Sequence, residues 1–124
     1  MQAMLVEYMG KGFLENIIAL FRTDWSLVTF IPAMIGDENI RVRMGATALV
    51  EELAKERPDQ LRPAVAGLVA LLRHENATIR GDAANVLGLI GDPSATDALK
   101  ELGNDPNASV REIARDALQE IGQG

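Results

Sequence analysis

Apolar residues recur along this chain at helical spacing, and no stretch alternates with the period of two that a strand requires. Met1, Met4, Leu5, Tyr8 and Met9 make one helical stripe, which Gly10 and Gly12 stop. Phe13, Leu14, Ile17, Ile18, Leu20 and Phe21 make a second, denser stripe that is too apolar to stand alone in water. Asp24 suits the N-cap of the next helix, WSLVTFIPAMI, which Pro32 is expected to kink or end. Gly36 to Asn39 then turn the chain into a partner helix over 40–56, with Val42, Ala46, Leu49 and Leu53 inward. Arg57-Pro58-Asp59 break that helix. Pro58 and Pro63 each suit a first turn, so a short turn precedes a helix at about 63–73. His74-Glu75-Asn76 make another turn, and 77–90 is helical. Gly91, Asp92 and Pro93 supply a C-terminal glycine, an N-cap and a first-turn proline in succession. A short helix at about 94–102 and a last one at 108–121 follow, separated by Asn104 to Asn107.

The second helix of each pair repeats one pattern. Val42, Ile79 and Val110 are the first buried positions, each followed by arginine: Arg43, Arg80 and Arg111. Alanine stands three residues further on, at Ala46, Ala83 and Ala114. Leu49, Val86 and Ala117, then Val50, Leu87 and Leu118, then Leu53, Ile90 and Ile121 complete the inner stripe. Ala54, Gly91 and Gly122 close the copies with a small residue. Small positions let helices approach and branched ones fill the grooves between them. A pair of this kind has two apolar faces and buries both only by stacking on its neighbours.

The pattern resembles the HEAT-repeat family, in particular the short HEAT-like repeats first associated with phycobilisome lyases. Ile79-Arg80, Ala83-Ala84, Leu87-Gly88, Ile90-Gly91-Asp92-Pro93 and Leu99 carry the likeness, with Val110-Arg111, Ala114, Leu118 and Ile121-Gly122 in the last copy. The first copy is longer and looser. The resemblance implies an all-α, right-handed α-solenoid of about three helix-turn-helix repeats in a single domain over 1–124. The repeats fall at 24–56, 58–91 and 93–122, with 1–23 as an N-terminal helical cap that covers the apolar end of the stack. It also implies that each arginine pairs with an aspartate of a turn, forming a ladder between repeats. Asp37 and Asp105 occupy that turn position, whereas the middle copy has His74, with Glu75 as the nearest substitute.

The formal net charge of −6 disfavours nucleic-acid backbones and anionic membrane surfaces as partners. The absence of cysteine removes disulfides, thiol nucleophiles and thiolate metal sites, and it suits a cytoplasmic location. The first twelve residues make a poor signal peptide, and no apolar run is long enough to span a membrane. One HEAT-repeat enzyme family, the deoxyhypusine hydroxylases, holds iron with His-Glu pairs placed after the arginine. Gly81-Asp82 stand there instead, and His74 is the only histidine, so it reads as a solvated turn residue. No catalytic, metal or cofactor residue is assigned, and the arginine row and Trp25 are read as structural.

What remains is a surface. Opposite the buried stripe, the second helices present Met44, Ala48 and Glu52, then Asp82, Asn85 and Leu89, then Ile113, Asp116 and Glu120. By resemblance these helices line the concave side, which gives an acidic field with Met44, Leu89 and Ile113 as exposed apolar spots. The expected function is therefore a non-enzymatic scaffold holding a protein partner, a basic or amphipathic segment, on these nine residues. Two alternatives stand beside it. One is an accessory or lyase-like subunit acting on a tetrapyrrole-bearing protein. The other is a homo-oligomer that self-associates through the C-terminal face near Gly124.

Overall fold

A computed structural model describes residues 1–123. Their eight α-helices are α1 (Gln2–Gly10), α2 (Leu14–Thr23), α3 (Ile31–Ile35), α4 (Ile40–Glu56), α5 (Val65–Leu71), α6 (Ala77–Ile90), α7 (Thr96–Leu102) and α8 (Ala108–Gln123). No strand occurs among them. The last three pairs each enter their first helix through a tighter 3-10 segment, at Trp25–Phe30, Pro58–Ala64 and Pro93–Ala95. Pro32 therefore lies in the first turn of α3, where its missing N–H costs nothing, and not in the second half of one longer helix. The main helix expected at 63–73 likewise begins only at Val65, because the 3-10 segment continues past Pro63.

The helix ends follow local chemistry. Asn39 and Asn76 accept the N–H of Arg41 (2.9 Å) and Thr78 (2.8 Å), capping α4 and α6. Gly91 ends α6 with φ +75°, a left-handed conformation that side chains disfavour. Asp92 caps the segment that follows by accepting the N–H of Ser94 at 2.9 Å.

Successive pairs stack so that α1, α4, α6 and α8 form an inner row, with α3, α5 and α7 outside it. Leu5, Met9, Ile17, Ile18 and Phe21 of α1 and α2 are buried in the common core. Here α1 lies against α4 much as α4 lies against α6.

The seam between α6 and α8 is the tightest. A Cβ added at Gly88 would stand 2.9 Å from the Ala117 Cα, and one added at Gly81 would stand 3.1 Å from the Ile113 Cδ1. On α6 the positions facing α8 are Gly81, Ala84 and Gly88, all buried. The same positions are Met44, Thr47 and Glu51 on α4, and Glu112, Arg115 and Gln119 on α8. The α8 set is exposed, so that helix turns a polar and charged face away from the stack. Self-association through this end would be made on those side chains; Gly124 itself lies outside the described residues.

Arginine rungs tie the pairs together. Arg80 donates through Nε to Asp105 Oδ2 at 2.8 Å and through Nη2 to Oδ1 at 3.0 Å. Its Nη1 serves the carbonyls of His74 (2.9 Å) and Glu75 (3.2 Å). Arg43, only 7% exposed, repeats this with the carbonyls of Asp37 (2.8 Å) and Glu38 (2.9 Å). Its carboxylate partner, however, is Asp82 on α6, at 3.2 Å from Nε. Arg111 donates to the Asp105 carbonyl at 2.7 Å.

The middle rung explains itself. Asp37 and Asp105 accept the N–H two residues on, from Asn39 (2.8 Å) and Asn107 (2.9 Å). His74 does the same through Nδ1 with Asn76 at 3.0 Å. Histidine thus closes the turn but leaves no carboxylate for Arg43. The Glu75 side chain does not substitute; only its carbonyl joins the ladder, while Asp82, within α6, supplies the charge.

The two carboxylates sit in opposite environments. Arg80, aided by the Asn107 N–H, holds the Asp105 carboxyl below its ordinary range against the opposing effect of burial. Burial pushes Asp82 up, with Arg43 only partly offsetting it. A lowered folded-state value means that Asp105 stabilises the fold above the ordinary carboxylate range. That contribution is lost as pH falls through the folded value. For Asp82 the sign is reversed, and protonation relieves a cost. Asp105→Asn is therefore expected to lose about 1–3 kcal/mol at neutral pH, the deficit vanishing in acid, whereas Asp82→Asn loses less; urea titrations across pH measure both. His74→Asp restores the missing carboxylate and is expected to gain about 0.5–2 kcal/mol while shrinking the cost of Asp82→Asn, as a double-mutant cycle reads out.

The α6–α8 seam makes a separate prediction. Alanine is favoured over glycine in a helix by about 1 kcal/mol, yet Gly88→Ala is expected to destabilise by about 1–3 kcal/mol, because a backbone atom must move. Gly122→Ala, with open space around it, should be neutral or stabilising. Thermal melts of the two variants separate packing from propensity.

Candidate functional site

The inner row fixes where the nine candidate residues fall. Three stand on α4, three on α6 and three on α8. Met44 is 65% exposed, and Glu52, Asn85, Asp116 and Glu120 are exposed as well. Ala48, Asp82, Leu89 and Ile113 are half-buried.

Two expectations change with that placement. Leu89 and Ile113 are not free apolar spots: both pack against the core cluster, and Ile113 lies over Gly81. The helical period put them on the outer face, but the glycines of α6 let α8 come close enough to cover them partly. Asp82 is engaged with Arg43, so its first role is in the ladder. Met44 is left as the large apolar side chain that this stripe exposes.

Met44 and Ala48 stand on a ridge between two grooves. One, between α4 and α6, has a volume of about 260 Å³ and is lined by Arg43, Met44, Thr47, Ala48, Glu51 and Asp82. It exists because α4 carries Met44, Thr47 and Glu51 where α6 has its small residues, so this seam does not close. The other, of about 440 Å³, lies between α1 and α4. Sequence reasoning did not find it, since nothing in residues 1–23 says which helix they dock on. One signal was present: Gly45 stands where Asp82 and Ile113 stand in the other copies, and a Cβ there would collide with the Met9 side chain. On the opposite side of the molecule, α5 and α7 leave a further groove of about 540 Å³, lined by Ala66, Val69, Ala98 and Leu102 among others. Grooves thus occur in both rows, and the α6–α8 seam is the one that closes backbone to backbone.

His74 is occupied by its turn, with Nδ1 accepting from Asn76 and the carbonyl serving Arg80. Trp25 is half-buried and packed on the core. The arginine row is spent on carbonyls and carboxylates within the ladder. No helix of the described residues is long and apolar enough to cross a membrane.

Comparison with known proteins fits this geometry. Among solved structures, the chain is similar to a designed armadillo repeat protein, YIII(Dq)4CqI, with a TM-score of 0.54 and 21% identity. The match covers 77% of this chain and 47% of the designed one, so the chain spans about half the length of that protein. At this identity the likeness concerns the fold: stacked helical repeats. A search of curated proteins gives no match. The profile of the family described as HEAT repeats matches residues 27–119, which takes in all three helix pairs that carry the arginine rungs. With the rungs, the stacked pairs and that match together, the chain belongs to the HEAT repeat family.

Proposed function

We propose that this protein is a non-enzymatic interaction module that docks a protein partner along the exposed face of α4, α6 and α8. One observation carries the reading. Met44 and Ala48 line the grooves on both sides of α4, and Glu52, Asn85, Asp116 and Glu120 are exposed on α4, α6 and α8. These side chains stand on helices locked by packed seams and buried rungs, so a partner meets a preformed surface and pays little ordering cost. The carboxylates favour basic side chains on the partner, through steering and register more than through raw affinity. Leu89, Ile113 and Asp82 support this face from beneath, and its central contact is Met44. Membership of the HEAT repeat family, whose modules generally serve as protein-interaction scaffolds, points the same way.

Affinity capture from the native cell extract tests the proposal. The wild type is expected to retain a discrete set of proteins that Asp116→Lys combined with Glu120→Lys loses, with helical content unchanged. Arg73→Glu, on an exposed side chain of the outer row, should keep them. Equal capture by wild type and the inner-face variant would contradict the assignment of the face. A visible absorbance change on adding a bilin would instead favour the tetrapyrrole-linked alternative.

A further inference from the structure

The groove between α1 and α4 differs from the rest of the surface in charge. The chain carries a net charge of −6, and four other grooves each include carboxylates. Glu51 and Asp82 line the groove between α4 and α6, and Glu101 and Asp105 line the outer one. Asp59, Asp92 and Glu120 line a third, at the C-terminal end of α6, and Asp82 lines the cleft between α6 and α8. The α1–α4 groove has none. Its charged lining residues are Lys11 and Arg41, and the rest of its wall is Met9, Gly10, Gly12, Leu14, Met44, Gly45 and Ala48.

Exposed apolar side chains gather at the same end. Met1, Tyr8, Phe13, Ile40 and Met44 are the large ones among the described residues, and all belong to α1, the turn after it or the start of α4. Tyr8 and Phe13 pack edge to face at 5.7 Å between centroids, which stiffens that turn. Lys11 reaches Glu7 at 2.9 Å, but both groups are more than half exposed, so this pair is weak and exchangeable. No ion pair or side-chain hydrogen bond engages Arg41, which is exposed on the rim. Met44, 65% exposed, gives the wall a flexible side chain that reshapes around an incoming one.

We propose that the α1–α4 groove is a docking site for an acidic amphipathic segment of a partner protein. The segment's apolar side chains seat against Met9, Leu14, Met44 and Ala48, and its carboxylates pair with Lys11 and Arg41. A volume of about 440 Å³ holds one or two large side chains. Charge complementarity selects the occupant: a basic segment would meet two cations and no anion here. The inference rests on the reading of the inner face as a protein-docking surface. It deepens that reading by giving the face a polarity, cationic beside α1 and anionic beside α8, so that a bound chain lies in one direction only.

Selection from a phage-displayed library of random peptides tests it, followed by affinity measurement on synthetic copies of the winners. The intact wild type is expected to enrich peptides that mix large apolar residues with Asp or Glu. These should bind about tenfold more weakly to the Lys11→Glu, Arg41→Glu protein. They should bind unchanged to the Asp116→Lys, Glu120→Lys protein. Raising salt should weaken wild-type binding, and this second readout stands if the charge-reversed protein fails to fold. Enrichment of basic peptides, no enrichment, or equal binding to the Lys11/Arg41 variant overturns the proposal. Loss of binding only in the Asp116/Glu120 variant overturns it too, while sparing the broader reading of the face. Sedimentation of the protein alone covers a different occupant: a dimer that Met44→Asp dissolves means the groove takes a second copy, which also overturns it.

Discussion

Two arginines, Arg43 buried and Arg80 half-buried, hold this structure in register. Arg43 and Arg80 each emerge from the first turn of an inner helix, take up two carbonyls of their own turn and reach a carboxylate of the next pair. A buried guanidinium is costly unless it is paired and its donors are satisfied. The fold meets that demand with groups that lie in place only when neighbouring pairs are stacked correctly. Misregistered stacking would leave a cation without partners, so the rungs select one arrangement among many that would bury similar apolar area. The apolar seams supply most of the stability, and the rungs decide which seam forms.

That division of labour shapes the surface. Between α6 and α8 the facing residues are Gly81, Ala84 and Gly88, and the helices meet almost backbone to backbone. Between α4 and α6, and between α1 and α4, larger or differently placed side chains hold the seams partly open, and grooves result. The same repeat therefore makes a closed seam at one end and open ones at the other. Exposed apolar side chains collect beside the open seams, whereas exposed carboxylates are spread along the chain, with Glu51, Glu52 and Glu56 on α4 and Glu112, Asp116 and Glu120 on α8. The rigidity of this surface comes from the rungs beneath it.

Much of this was legible in the sequence because its signals are local. Asn39, Asn76 and Asp92 name helix starts through hydrogen bonds two residues long, and Gly91 names an end through its backbone conformation. The buried stripe from Ile79 to Ile90 follows from the helical period alone. What was not legible depends on neighbours. The period placed Leu89 and Ile113 opposite the buried stripe but carried no information on how close the adjacent helix comes. Asp82 was read as a surface charge because its partner, Arg43, lies in a different repeat and is absent from any local window. The turn pattern revealed that His74 breaks the ladder, yet not which residue mends it. The groove beside α1 was hidden for the same reason, with Gly45 as its one local trace.

The account's central claim is that rigid inner helices present the working face while the outer row serves as support. Hydrogen exchange of the protein free and bound to its captured partner measures this directly. Exchange is predicted to slow in α1, α4, α6 and α8, with α3, α5 and α7 unchanged. Slowing confined to α5 and α7, around the outer groove, would contradict it.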